Sequence, residues 1–295
     1  MVRILVAKFG DIRSETVDSI LSIMDECYGR LEPHGLSLVD LYLFERSSIL
    51  EAFLSQEYAK MGVTSSRFDE DFYAMHDAWG GIPRISISVE RIQSLPDLTR
   101  AGILRHEVGH SVLHGSPQYY IFPVPKPLLE TSERFDLPIQ YLNDLLYLIS
   151  IAVKDFEVTR LLHGRGYIED QIAYAENVLE ASQDDLAAWE VGKVEVQAKV
   201  LCLVSRLKDF SCASALMSDE KLRERIRMKL LEGMNYFPEE VSTKILTIVS
   251  RLPSVLQIDT LENVDETTRI IVEELVEPTL KGREAISQVD RERQQ

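Results

Sequence analysis

Residues 103–115 read Ile103-Leu104-Arg105-His106-Glu107-Val108-Gly109-His110-Ser111-Val112-Leu113-His114-Gly115, and the organisation of the chain is read outward from them. An α-helix turns about 100° per residue, so His106 and His110 stand one above the other on nearly the same face. Two imidazoles so placed reach one metal ion, and Glu107, beside the first, can turn its carboxylate toward a water in an open coordination position. Ile103, Leu104, Val108, Val112 and Leu113 make the segment apolar on several sides, which predicts a helix packed between layers. Pro96 and Asp97 suit its first turn, and Gly115 followed by Pro117 supplies its stop. The competing reading, a core helix with two satisfied histidines, leaves Glu107 without a reason to be there, because glutamate is rarely buried unpaired.

Upstream, the chain alternates in type. Residues 3–7 read as a strand, 14–31 as an amphipathic helix, 36–44 as a second strand and 48–61 as a second helix, a βαβα start. Residues 72–77 and 84–90 then read as strands joined by a Gly80-Gly81-Ile82-Pro83 turn. Arg84-Ile85-Ser86-Ile87-Ser88-Val89-Glu90 alternates strictly between apolar and polar, which predicts a half-exposed strand at a sheet edge.

Downstream, residues 116–138 carry Pro117, Pro123, Pro125, Pro127 and Pro138 with Tyr119, Tyr120 and Phe122 among them, and read as a long ordered loop or lid. Six helical spans follow, at about 139–163, 168–181, 184–209, 218–234, 238–252 and 264–277. The expected division is 1–115 for an α/β part with the histidine helix, 116–138 for the loop, 139–280 for a helical part, and 281–295 for a charged tail.

The composition excludes several classes of function. The chain has 295 residues, 45% of them hydrophobic, enough for a real core. A formal net charge of −16 opposes binding to nucleic acid or an anionic membrane, which needs clustered Lys and Arg. The basic run from Lys221 to Lys229 reads as a solvated helix face. No uninterrupted apolar stretch reaches membrane-spanning length, and the N-terminal apolar run is too short for a signal peptide, so a cytoplasmic location is expected. Cys27, Cys202 and Cys212 show no ligand spacing and read as buried small hydrophobes, which opposes a Cys-His nucleophile.

A catalytic zinc takes three protein ligands, so one more residue is needed. His114 on the same straight helix would lie about 12 Å along the axis from His106, too far to share one tetrahedron. It is expected to pack or hydrogen-bond beneath the site. The segment Ile151-Ala152-Val153-Lys154-Asp155-Phe156-Glu157-Val158-Thr159-Arg160-Leu161-Leu162 is apolar yet carries two acids. Leu148, Ala152, Asp155, Thr159 and Leu162 share a stripe that turns Asp155 inward, whereas Glu157 shares one with Val153 and Leu161. Asp155 is preferred, and Glu157 stays open. Tyr119, Tyr120 and His163 are candidates for an oxyanion donor.

The run His106-Glu107-Val108-Gly109-His110-Ser111-Val112-Leu113-His114 resembles the HExGHxxLH form of ImmA/IrrE-type peptidases, within the zincin metallopeptidases, and the acid-bearing second helix resembles that of gluzincin-like enzymes. The resemblance covers two short helices, about a tenth of the chain, and the proline-rich insertion between them departs from the compact pattern. With the βαβα start and the helical spans read above, the expected fold is α+β: an N-terminal mixed sheet with the active-site helix that the resemblance makes zincin-like, then a mainly α-helical C-terminal half without a counterpart in the family. The resemblance further implies Zn²⁺ on His106, His110 and an acid, Glu107 as general base, and hydrolysis of a peptide or protein substrate. The strand at 84–90, immediately before the histidine helix, would then receive the extended substrate; its plain alternative is an ordinary sheet edge protected by its charged residues. The alternative expectation is a zinc-stabilised protein-interaction or regulatory protein, catalytically silent or latent, that uses its acidic helical half to bind a partner.

Overall fold

The computed structural model describes residues 2–60 and 73–282. Met61, Phe72 and the tail from residue 283, to which the sequence reading assigned structure, lie outside the described residues. The βαβα start forms as read: β1 (Arg3–Phe9), α1 (Ser14–Leu31), β2 (Leu38–Phe44) and α2 (Ser47–Lys60). β3 (Ala74–Asp77) turns back into β4 (Arg84–Ser88), followed by α3 (Val89–Gln93) and α4 (Asp97–Leu113). The sheet order is β1-β2-β4-β3, with β1, β2 and β4 parallel and β3 antiparallel to β4. With the helices that follow, the fold is α+β.

Residues paired across a sheet point to the same face, so register sorts the side chains. Tyr42 pairs with Ser86, which pairs with Met75. Tyr42 and Met75 pack against the cluster of Phe44, Leu50 and Leu54, so α2 covers this face. Leu41 pairs with Ile85, which pairs with His76, on the opposite face, where α4 packs against β3 and β4. This overturns the edge assignment for 84–90. β4 is an inner strand whose residues Ile85 to Ser88 are all buried, and β3 lies outside it at one edge of the described sheet. The alternation misled because Ser86 and Ser88, polar but small, sit on a second covered face rather than in solvent.

Residues 116–138 are not one irregular loop. A 3-10 turn spans Pro117–Tyr120, and α5 spans Lys126–Phe135. Pro125 is its N-cap and Pro127 lies in its first turn, where proline's fixed φ and missing N–H cost nothing. The prolines that suggested a loop therefore start a helix.

The remaining helices are α6 (Ile139–Gly164), α7 (Glu169–Leu179), α8 (Gln183–Gly192), α9 (Val196–Ser214), α10 (Arg223–Gly233), α11 (Glu239–Val255) and α12 (Thr260–Ile271), the last running on through a π turn at Val272–Val276. The expected single helix over 184–209 is two. α8 begins at a capping box between Ser182 and Asp185, ends at Gly192, and packs against α9. A Cβ at Gly192 would meet the Lys199 Cα at 2.9 Å, so this close turn requires glycine.

Two compact units divide the chain. One comprises residues up to Ile121 together with Leu161–Tyr174; the other comprises Phe122–Arg160 and the residues from Ala175 onward. The first is built on the sheet with α1 and α4, and the second is helical, with Phe156, Ala215, Leu252 and Leu256 among its core. Among the described residues, no helix is long and apolar enough to cross a membrane.

Candidate metal centre

α4 is held on several sides, as its apolar surround predicted. Tyr28 of α1 donates to Ser111 Oγ at 2.8 Å, and Ser111 Oγ donates to the Val108 carbonyl at 2.7 Å. Arg105 donates to Asp170 at 2.9 Å and to Glu26 at 3.2 Å, with its guanidinium over the Tyr167 ring. At Gly102 the helix comes so close to the 169–174 segment that a Cβ would meet the Asp170 carbonyl oxygen at 2.4 Å. These contacts fix the helix on which the histidines stand.

His106 and Glu107 are buried, and His110 is partly so. The Nε2 atoms of His106 and His110 lie 3.1 Å apart. Two nitrogens bound at about 2.0–2.1 Å to one tetrahedral metal are about 3.3 Å apart, so this pair has the required bite. On the other side of the His110 ring, Nδ1 lies 3.1 Å from His114 Nδ1. His114 is fully buried and ends the helix as its C-cap. Of the two roles expected for it, packing or hydrogen-bonding, His114 shows both, lying at hydrogen-bond distance from His110 and packing against Tyr119.

His76 was not singled out in the sequence. It projects from β3, its ring stacks parallel to that of His110 with centroids 6.0 Å apart, and its Nδ1 lies 2.6 Å from the Tyr120 hydroxyl. Trp79 packs on Tyr120 at 5.1 Å. Parity along β3 is the signal that could have found it, once the register fixed which face meets α4. Of the other donor candidates, Tyr119 packs edge-on against His114 at 5.3 Å, and His163 lies in the last turn of α6.

The two acids of α6 have different surroundings within the helical unit. Glu157 is buried, and its Oε1 and Oε2 accept from Asn263 Nδ2 at 2.5 Å and Thr260 Oγ1 at 2.8 Å, both on α12. Asp155 is half-buried, and its charge reaches Lys208 and Cys212 of α9. Thr159, one turn on, lies 3.2 Å from Cys212 Sγ. Burial pulls the Lys154 ammonium down to about 8, against the opposing pull of Asp155 and Glu157.

The three cysteines are free and buried. Burial pushes the Cys27 thiol up to about 12 and that of Cys202 to about 11, and raises Cys212 as well. None has the depressed pKa of a nucleophilic thiol.

Comparison with protein-family models, with curated proteins and with solved structures returned no match.

Proposed function

We propose that this protein is a zinc-dependent hydrolase of peptide bonds, with His106, His110 and Asp155 as metal ligands and Glu107 as general base. The observation that carries the reading is the 3.1 Å approach of two imidazole Nε2 atoms on a buried helix, with a buried glutamate next to the first of them. The donor set of the proposal is two imidazole nitrogens, of His106 and His110, and one carboxylate oxygen, of Asp155. Glu157 has its carboxylate engaged by Thr260 and Asn263, which favours Asp155 as the acid. Two histidines and a carboxylate suit zinc, and three protein ligands leave a fourth position open, as catalytic sites do and closed structural sites do not. This favours catalysis over the zinc-stabilised interaction protein.

When bound, the metal supplies Lewis acidity, polarising a carbonyl and lowering the pKa of water. The chain's own residues do the rest. Glu107 accepts the proton of the attacking water and delivers it to the leaving amine nitrogen. β3 is paired with β4 on one side only among the described strands, and its other edge offers main-chain hydrogen bonds to an extended peptide.

The test compares wild type, chelated wild type and Glu107→Gln for cleavage of a mixed peptide library, read by mass spectrometry. The zinc-loaded wild type cleaves, the chelated protein does not, and Glu107→Gln keeps zinc while losing about 100-fold or more in rate. Cleavage that survives both chelation and Glu107→Gln overturns the proposal, as does a zinc-loaded wild type that cleaves nothing.

A further inference from the structure

We propose that His114 is a positioning residue that sets the tautomer and ring orientation of His110 so that Nε2 is presented as a metal ligand. The inference rests on the metal reading above and adds a residue to it. Neutral imidazole carries one N–H, and a ligating nitrogen must offer its lone pair. His110 turns Nε2 toward His106, so its proton belongs on Nδ1. That atom lies 3.1 Å from His114 Nδ1, which accepts the bond only if His114 carries its own proton on Nε2. The pair therefore has one arrangement compatible with ligation: His110 donates through Nδ1 and His114 accepts through Nδ1.

His114 is built to hold that arrangement. Its side chain is fully buried, its backbone N–H donates to the His110 carbonyl at 2.7 Å, and Tyr119 packs edge-on against its ring. His76 stacks on the His110 face, so that ring is fixed in plane as well as at its Nδ1 edge. The same geometry separates the roles of the three helix histidines. His114 meets the edge of the His110 ring remote from Nε2, so it supports the ligand rather than joining it. Metal-bound histidines are commonly steadied through the second ring nitrogen by a carboxylate or carbonyl; a histidine acceptor does the same work with a neutral group.

The experiment measures Zn²⁺ affinity of the full chain by competition with a chromogenic chelator for wild type, His114→Phe and His114→Gln. Phenylalanine keeps an aromatic ring without an acceptor, and glutamine supplies an acceptor oxygen without the ring. The expected result is a loss of about 10–100-fold for His114→Phe, most of it recovered in His114→Gln. A role in packing alone gives the reverse order and overturns the inference, as does wild-type affinity in both variants. If His114→Phe fails to fold, histidine nitrogen NMR of zinc-loaded wild type decides: a protonated Nδ1 on His110 and a protonated Nε2 on His114 support the inference, and any other pairing overturns it. A wild type that takes up no zinc removes the parent reading as well; intact binding with unchanged variants removes only this inference.

Discussion

The imidazole row of α4 and the Glu157 carboxylate of α6 are both polar features inside apolar helices, and they are satisfied on opposite plans. Glu157 is an acceptor that meets donors, Thr260 and Asn263, on a neighbouring helix. His106 and His110 turn the same kind of atom toward each other at 3.1 Å, an approach that a shared proton or a cation makes favourable. The first arrangement pairs each carboxylate oxygen with a donor of the protein. The second has the form of a ligand pair. Burial ranks Glu157 above the half-buried Asp155 as the inward acid, whereas the donors already on the Glu157 carboxylate favour Asp155 as the proposed ligand.

The largest effect that could break this contrast is on the imidazole row. His110→Ala is expected to weaken zinc binding by more than about 100-fold, beyond the range set by loss of an orienting partner, while leaving the urea midpoint of the metal-free protein nearly unchanged. A metal-free protein that unfolds on this substitution would make the row structural. Glu157→Ala should behave in the opposite way, lowering the unfolding free energy by about 2–3 kcal/mol because it strands buried donors, with zinc affinity intact. Loss of zinc in Glu157→Ala would collapse the distinction. Gly102→Ala is expected to cost about 1–3 kcal/mol, since the Asp170 backbone that a Cβ would meet cannot give way as a side chain tip could. Its thermal melt shows whether the close seating of α4 matters to the unit that carries the histidines.

What was legible in the sequence was local. α1 was read at its observed bounds from its amphipathic period, although no side chain caps its start, and α4 was legible from its apolar surround, its Pro96 N-cap and the Gly115 stop. The edge strand was misread because two buried serines gave β4 an alternation that resembles exposure. α5 was missed because prolines that usually interrupt helices here occupy its entry. Within the site, the α4 residues came from spacing alone. The partners of Glu157, Thr260 and Asn263, lie more than one hundred positions away, and the face that His76 takes depends on sheet register. Contacts of that range leave no periodic trace in the chain.

The ligand set is tested by the zinc stoichiometry, read by elemental mass spectrometry, of protein purified without added metal and then dialysed against zinc. About one zinc per chain is expected in wild type, Glu107→Gln and Glu157→Ala, and none in His106→Ala, His110→Ala or Asp155→Ala. A wild type that holds no zinc after dialysis, or an Asp155→Ala protein that keeps it while Glu157→Ala loses it, would contradict the ligand set.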